Sequence, residues 1–396
     1  MENNLWLYQA YDVFANYYTG LKIDYICIYI FLAIITLYYA RKLSTVQNSQ
    51  WWKDAITYSL IFALIEGVRY LRGTDYLNYA LYYKYEISGN PIEFVFNGLQ
   101  AFFHQNNFPF WTILTFYSFC WIICLLILVK KEEQHYIKYI LPIALVFSFQ
   151  GIECFIRQSF AFSFLFLFTL YLLKKSYIKA TLFALISLFT HNGSIIFILL
   201  ILSIYIIKNK AISSNIYIII YIISTFLLEA QFITIINKII FILPFLDGTL
   251  IGGYLTNADR WFGDEAFRDE YSRGIISKLM VALFDISIMA LSFLTIKRNK
   301  SHKTNIIFYY NLFCITNILL QLFYNYELLK RTFMTFYMFG AFLIAYIMQS
   351  PPKKKYELLA RQYIIFFIII YYIKITLLAG NQLFIWDAIG KYNFNL

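Results

Sequence analysis

The sequence contains few charged residues, few glycines and few prolines for its length. Charged side chains make up 14% of the 396 residues, whereas they make up about a quarter of a typical water-soluble domain. The 15 glycines and 6 prolines form no low-complexity linker, and we find no internal repeat. Hydrophobic residues make up 61% of the chain, an excess that fits a lipid bilayer. We therefore predict an all-α polytopic membrane protein with one integral membrane domain over residues 1–396.

The sequence also lacks the motifs of several enzyme classes. It contains no phosphate-binding P-loop, no HExxH zinc motif and no GxSxG nucleophile elbow. Its five cysteines lie mostly within apolar runs and show no Cys/His spacing typical of zinc sites. These absences argue against ATP-driven and metalloprotease chemistry. We predict no metal site and no cofactor.

Apolar runs long enough to cross a membrane recur along the whole chain. A helix needs about 20 residues to span a hydrocarbon core of about 30 Å, and shorter helices can tilt or re-enter. On this basis we predict about twelve transmembrane helices. They lie near residues 23–39, 55–71, 110–129, 137–149, 155–173, 178–189, 195–207, 212–228, 276–296, 305–323, 332–348 and 363–378.

Lysine and arginine are distributed differently between the predicted connections. Lysine dominates alternate connections, at residues 41–53, 130–138, 174–179, 208–210, 297–303 and 353–361. The positive-inside rule makes these connections cytoplasmic, so the net charge of +11 reflects topology and no nucleic-acid partner is expected. The other side carries most of the arginines: Arg69, Arg72, Arg157, Arg260, Arg268, Arg273 and Arg331.

An arginine-rich outer side indicates an anionic substrate there. The guanidinium group is a planar fork of donors that binds phosphate or carboxylate through two parallel hydrogen bonds, whereas lysine suffices for topology. The alternative is that these arginines satisfy helix ends and outer-loop carboxylates.

Four short polar segments interrupt the apolar pattern at the predicted outer side. They are residues 66–78, 151–159, 190–194 and 326–331. In the first, Gly73 ends a helix and Asp75 is placed to cap the next one. In the second, Glu153 and Arg157 are four positions apart, so either they form a structural pair or Arg157 faces a substrate. We predict that the four segments converge on one side of the membrane.

His191 lies in the third polar segment, in FTHNGS, where a short predicted helix ends. Neutral imidazole can accept a proton at physiological pH, which makes His191 a candidate general base; a hydrogen-bonded structural role is the alternative. Arg331, in the fourth segment, is a further candidate anion ligand. Asp285 and Lys374 lie deeper in predicted spans, where ionisable groups suit ion-coupled transport.

Two predicted outer segments are long, at residues 72–109 and 229–275. Tyrosine spacing in the first suits an amphipathic helix in the membrane interface. The second holds Asp264/Arg268 and Asp269/Arg273 as i, i+4 pairs, which predict a helix. That helix is either self-paired and solvated or a lid over the outer mouth of the protein.

Four sequence segments resemble the EpsG-type branch of the Wzy-like polysaccharide polymerases. They are VRYLRGTDYLNY, IRQSFAFSFLFLF, LISLFTHNGSIIFIL and LKRTFMTFYM, in this order. The Arg-Gln pair with its following alanine, and the histidine before an apolar helix, are the most specific features. The family tends to carry one arginine a few residues before Gly-Thr-Asp. Arg69 fills that place here and Arg72 is additional, which leaves open which of the two acts.

The resemblance implies a GT-C-like glycosyltransferase of the bacterial cytoplasmic membrane. It would join undecaprenyl-pyrophosphate-linked oligosaccharide repeat units on the outer side, as in exopolysaccharide, capsule or O-antigen synthesis, with a flippase and a chain-length regulator as partners beside membrane lipid. Positively charged side chains can stabilise the leaving pyrophosphate without a metal. The implied pyrophosphate-binding residues are Arg69, Arg72, Arg157, Gln158 and Arg331. The candidate bases, in order, are His191, then Asp75 or Glu153.

Two other functions stay open at this point. A glycan ligase or single-sugar GT-C transferase would use the same chemistry on another acceptor. A transporter or flippase of lipid-linked oligosaccharides should show inverted repeats and polar groups at the membrane midplane. The polar segments of this sequence lie at one boundary instead, with Asp285 as the exception.

Overall fold

The computed structural model describes residues 23–70, 75–86, 90–228, 274–298, 304–378 and 383–384. The helices are α1 (Ile23–Thr45), α2 (Asn48–Gly67), α3 (Tyr76–Lys84), α4 (Phe94–Gln105), α5 (Phe110–Glu133), α6 (Ile137–Cys154), α7 (Ile156–Leu173), α8 (Tyr177–Thr190), α9 (Ser194–Ile206), α10 (Ser214–Ile223), α11 (Ile275–Arg298), α12 (Thr304–Leu322), α13 (Glu327–Met334), α14 (Tyr337–Gln349) and α15 (Lys355–Ile373). A 3₁₀ turn (Gln134–Tyr136) precedes α6, and π-helical turns follow α10 (Ser224–Leu228) and α15 (Lys374–Leu378). Arg72, Arg260, Arg268, Arg273 and the predicted helix between residues 229 and 273 lie outside the described residues.

The all-α polytopic membrane fold is confirmed, and each predicted span overlaps a helix, although the span near residues 332–348 is divided between α13 and α14. Within the described residues, seven apolar segments are long enough to cross a bilayer, and one of them, Phe110–Phe147, runs through α5 into α6. Three shorter apolar helices accompany them, at Tyr177–Thr190, Ser194–Ile206 and Ser214–Phe226. In the part of the chain described, strand pairing is confined to Arg69–Tyr70 (β1) and Leu383–Phe384 (β2), which run antiparallel.

The most buried helices are α7 and α14. In α14 all residues from Met338 to Ile347 are buried, and α7 packs against both α5 and α8. Helices α1, α9, α10 and α15 present large aliphatic side chains outward instead, for example Ile206 at 83% exposure. Exposed apolar surface on this scale is stable against lipid tails rather than against water.

Gly67 permits a close contact between α2 and α5. A Cβ atom on Gly67 would lie 1.8 Å from the Thr115 hydroxyl oxygen, so α2 approaches α5 too closely for any other residue. This contact fixes the end of α2, from which the chain continues into β1 and the first polar segment.

Four of the lysine-rich connections meet at one end of the helical bundle. Gln134 donates to the carbonyl oxygens of Leu43 and Val46, Asn305 binds Glu132, His135 contacts Gln349, and Arg298 binds Glu357. We call this the basic end. Because these contacts join connections that are distant in sequence, the clustering results from the fold.

Candidate active site

The four predicted polar segments meet at the end of the bundle opposite the basic end. Arg157 and Gln158 begin α7 and contact two separate groups of side chains. Arg157 reaches a group that contains His191, whereas Gln158 reaches the helix that carries Arg331. The adjacent residues 157 and 158 therefore join the second polar segment to the third and the fourth.

Glu93 lies at the centre of the first group. It precedes α4 after the turn Asn90-Pro91, where the side chain of Asn90 accepts a hydrogen bond from the backbone N–H of Ile92 at 3.1 Å. Glu93 is fully buried. Its Oε2 atom accepts a hydrogen bond from Arg157 Nη1 at 2.5 Å, and its Oε1 atom lies 3.0 Å from His191 Nδ1. Glu93 lies outside the four polar segments predicted from the sequence.

The local backbone places the His191 ring on Glu93. Helix α8 ends at Thr190, His191 is extended, and the turn at Asn192-Gly193 leads into α9. The backbone N–H of Asn192 donates to Glu93 Oε1 at 2.9 Å, so the turn and the ring bind the same carboxylate oxygen. The imidazole orientation is thereby fixed by a backbone contact as well as by its own hydrogen bond.

The charges of this group favour an ionised Glu93 and a neutral His191; both residues lie in connections between helices. Burial raises the pKa of Glu93, but the hydrogen bond from His191 and the charge of Arg157 outweigh it, and the pKa falls below its usual value. Burial lowers the pKa of His191, and the charge of Arg157 lowers it further against the opposing effect of Glu93. An ionised Glu93 accepts the Nδ1 proton, which leaves the lone pair on Nε2.

Arg157 is held by aromatic rings as well as by Glu93. Its guanidinium carbon lies 6.0 Å from the ring centre of Tyr79 and 5.9 Å from that of Phe96. The side chain keeps 28% of its surface exposed. Arg157 therefore has a fixed position and an exposed face. Glu153 was a predicted partner at i, i+4, but α6 ends at Cys154 and α7 begins at Ile156, so these positions do not share one helix.

Arg331 forms the second group with Asp75 and Gln158. Arg331 Nη1 lies 3.3 Å from Asp75 Oδ2, and its guanidinium stacks over the Phe155 ring at 4.8 Å. The Gln158 amide donates to the Arg331 carbonyl at 3.0 Å and to the Thr335 hydroxyl at 2.9 Å. Asp75 occupies the predicted N-cap position of α3, but its side chain makes no capping hydrogen bond. In this structure Gln158 fixes the backbone that carries Arg331.

Arg69 and Glu153 lie in a buried region beside these groups. Arg69 is 1% exposed and donates to the carbonyl oxygens of Glu66 and Ile152 at 2.5 and 2.9 Å. Its guanidinium also lies 3.8 Å from the Glu66 carboxylate. Glu153 is 4% exposed and interacts with Glu66. The arrangement of Arg69 matches the alternative in which an arginine satisfies helix ends, and the roles of Arg69 and Glu153 towards substrate stay predictions.

A large apolar cavity opens next to the second group. Its volume is about 830 Å³, and it lies among α6, α11, α13, α14 and α15. Phe155, which stacks under Arg331, and Thr335, which binds Gln158, both line it. Lys330 and Lys374 add two positive charges to a lining that is otherwise mostly aliphatic and aromatic. The cavity can therefore hold an apolar chain whose anionic end lies near Arg331.

Asp285 occupies a separate position in the bundle. It is fully buried in α11 and accepts hydrogen bonds from the hydroxyls of Tyr221 at 2.7 Å and Tyr337 at 2.9 Å. Both partners are tyrosines from distant spans, which spacing in the sequence does not reveal. These hydrogen bonds give the carboxylate a structural role between α10, α11 and α14.

The described residues contain no group of three or more His, Cys, Asp or Glu side chains placed to hold a metal ion. The donor set around His191 combines one imidazole, one carboxylate and a guanidinium, which suits proton transfer and anion binding. Independence from metals stays a prediction.

Gly193 gives a direct test of the His191 position. A Cβ atom at this position would lie 2.8 Å from His191 Nε2. We expect Gly193→Ala to displace the ring and to lower activity about 10- to 100-fold, since a shift of about 1 Å in a catalytic group has effects of this size. The control is Ser203→Ala, a small change at an exposed position of the same helix α9. Equal activity of both variants would show that Nε2 has no part in the reaction.

Comparison with known proteins identifies the family of the chain. A family model described as "EpsG family" matches residues 55–394, a range that contains every residue of the two groups. No curated protein and no solved structure matches the chain. The match supports a polysaccharide-polymerase type of role in a membrane, with lipid-linked saccharides as the class of substrate. By the extent of this match, the chain belongs to the EpsG family.

Proposed function

We propose that the protein joins undecaprenyl-pyrophosphate-linked oligosaccharide repeat units into a polysaccharide on the outer face of the bacterial cytoplasmic membrane. The observation that carries this proposal is the Glu93–His191–Arg157 group at the end of the bundle opposite the lysine-rich connections. It combines a neutral imidazole, an ionised carboxylate and a partly exposed guanidinium, and it lies one residue along α7 from the contacts that hold Arg331.

In the proposed reaction, His191 activates the acceptor sugar. Its Nε2 lone pair takes the proton of an acceptor hydroxyl while the hydroxyl oxygen bonds to the anomeric carbon of the donor. Glu93 keeps the Nδ1 proton in place and stabilises the imidazolium that forms. The bond between the anomeric carbon and the pyrophosphate oxygen breaks, so the products are a longer glycan and a lipid pyrophosphate.

Arg157 and Arg331 stabilise the charge that develops on the pyrophosphate. Each guanidinium is oriented by a carboxylate, and each keeps about a quarter of its side-chain surface exposed. Because these donors are already oriented, reorienting them in the transition state costs little energy. The apolar cavity beside Phe155 receives part of the lipid chain, and Lys330 and Lys374 favour its anionic end. In this proposal the remaining predicted site residues support the groups named above and do not act on the substrate directly; they are Arg69, Arg72, Asp75, Glu153 and Gln158.

The decisive experiment measures chain extension by the purified protein in lipid nanodiscs. The substrate is a lipid-linked repeat unit from a strain that lacks this gene, and the products are separated by size with and without EDTA. We expect a ladder of longer lipid-linked glycans in both conditions. Transfer of one sugar, or of the glycan to another lipid, would favour the ligase alternative. Movement of substrate across the bilayer without extension would favour a flippase.

The protonation state of His191 predicts the pH dependence of extension. The base must be neutral, and its pKa lies below the ordinary value of 6.5. Activity at low substrate concentration should therefore rise with pH along an acid limb whose midpoint is below about 6.5, and then stay level through neutrality. An acid limb with a midpoint above 7 would contradict a neutral His191 in the resting protein.

A further inference from the structure

A cavity of about 480 Å³ lies between α3 and α4, separate from the apolar cavity near Arg331. This volume lies within the range of small-molecule sites, about 300–1,000 Å³. Its lining combines aromatic rings, amides and a carboxylate–imidazole pair. The residues that carry the inference are Tyr82, Glu86, Phe94, Asn97, Gln100 and His104.

Gln100 gives the clearest indication of a ligand. Its side chain is 8% exposed and lines the cavity, and among the described residues its amide nitrogen has no hydrogen-bond partner. A buried amide donor without a partner is costly, and rotation of the side chain towards the cavity would let a ligand acceptor remove that cost. Asn97, one turn earlier on α4, also lines the cavity; its amide nitrogen binds the Asn90 carbonyl at 2.8 Å, and its amide oxygen is a hydrogen-bond acceptor.

The aromatic rings complete a surface suited to a sugar. Tyr82 is 42% exposed and Phe94 is 56% exposed, and both residues line the cavity. Such rings can pack against the apolar face of a pyranose, while amide and imidazole groups bind its hydroxyls. Glu86, which contacts His104 at 2.6 Å, makes the cavity unfavourable for an acidic ligand.

The cavity adjoins the candidate active site. Pro91 and Phe94 line it on either side of Glu93 in the sequence, and the Phe94 ring packs on Phe189 with centroids 4.6 Å apart. Phe189 is two residues before His191. A sugar bound against Phe94 therefore lies close to the groups that would act on its neighbour in the chain.

We infer that this cavity binds an uncharged saccharide portion of the glycan, which makes it a subsite that selects the repeat unit. The inference rests on the proposed function for the origin of the glycan. The lining itself defines the ligand class by its exposed rings, its buried amide donor and its carboxylate. The phosphate of a phospholipid headgroup, or the carboxylates of an acidic peptide, would be repelled by the Glu86 carboxylate.

Equilibrium binding separates this inference from catalysis. The probe is a fluorescently labelled oligosaccharide of one to three repeat units, released by mild hydrolysis from the polysaccharide of a wild-type strain. We expect Tyr82→Ala and Gln100→Met to weaken its binding to the nanodisc-embedded protein about tenfold each, the effect of one lost stacking contact or hydrogen bond to a buried donor. The matched control is Phe102→Ala, since Phe102 is an equally exposed aromatic residue on α4 outside the cavity lining.

Gly98 offers a second pair of variants that does not depend on removing a contact. No atom of the described residues lies within 4 Å of a Cβ placed on Gly98, and the residue lines the cavity. Gly98→Trp should therefore fill the cavity and abolish binding, whereas Phe102→Trp, on the same helix but outside the lining, should leave binding unchanged. Retained binding in Gly98→Trp, or an equal loss in Phe102→Ala, would overturn the inference.

Chain extension is measured on the same samples, so a failure of the subsite proposal can be distinguished from a failure of the proposed function. If the wild-type protein extends lipid-linked repeat units but the cavity variants bind the oligosaccharide like wild type, the proposed function is supported and the subsite is contradicted. If the wild-type protein binds the oligosaccharide through this cavity but does not extend the glycan, the subsite is supported and the polymerase assignment is contradicted.

Discussion

Replacing Glu93 by glutamine is expected to slow chain extension about 10²- to 10⁴-fold, in the range found when an acid that orients a catalytic histidine is neutralised. Glutamine has nearly the same size, so the buried site stays filled. It lacks the negative charge that accepts the Nδ1 proton of His191 and binds Arg157. An amide nitrogen facing the ring would favour the tautomer with a proton on Nε2, which cannot accept another proton.

The matched control for this variant is Glu133→Gln at the basic end. Glu133 also contacts a histidine, His135, at 3.4 Å, but it lies far from the candidate site. Membrane abundance and elution volume in detergent show whether each variant folds. The double variant Glu93→Gln/His191→Gln should be no slower than His191→Gln alone, because residues that act as one unit have non-additive effects. Additive losses would mean that Glu93 and His191 act independently.

The fold could be predicted from the sequence because apolar runs and lysine-rich connections are local patterns. Length and apolarity identify each span without knowledge of its neighbours, and lysine marks the connections of one end. The four polar segments were also identified, and the contacts of Gln158 and of Arg331 show that distant segments meet. Convergence was predictable because all four segments fall at helix ends on the same side of the membrane.

Glu93 was not predictable by the same reasoning. It is a single carboxylate in a turn, and its partners Arg157 and His191 lie 64 and 98 positions further along the chain. Local spacing made Glu153 a candidate partner of Arg157, but the break between α6 and α7 removes the helical geometry on which that pairing depends. A turn with Asn-Pro before an amphipathic helix is the one local feature that marks the position of Glu93.

Helical spacing divides the tyrosines of residues 72–109 into a buried set and an exposed set. Tyr76, Tyr79 and Tyr83 follow a spacing of three and four and are buried, whereas Tyr82 and Tyr85 lie off this face and are exposed. The buried set packs around Phe96 and Phe110 and supports Arg157. One tyrosine-rich segment therefore serves both as core and as cavity lining, and the helical period separates the two roles.

Replacing Arg157 by alanine is expected to abolish polymer, with a loss of about 10³-fold or more, since an arginine that stabilises developing phosphate charge has effects of this size. In cells the repeat units should stay lipid-linked and should still reach the outer leaflet. Arg157→Lys keeps the charge but not the fork geometry, so it should recover only part of the activity. Accumulation of repeat units on the cytoplasmic side would indicate a flippase instead.

The alternative interpretation of the arginines makes Arg298→Ala the critical control. Arg298 binds Glu357 at the basic end, and its side chain is 25% exposed, close to the 28% of Arg157. If Arg157 only neutralises Glu93, the two variants should lose similar amounts of folded protein and similar amounts of activity. If Arg157 binds pyrophosphate, the Arg298 variant should retain its activity per folded molecule while the Arg157 variant loses it. The ratio of these two specific activities therefore measures what Arg157 does beyond pairing with a carboxylate.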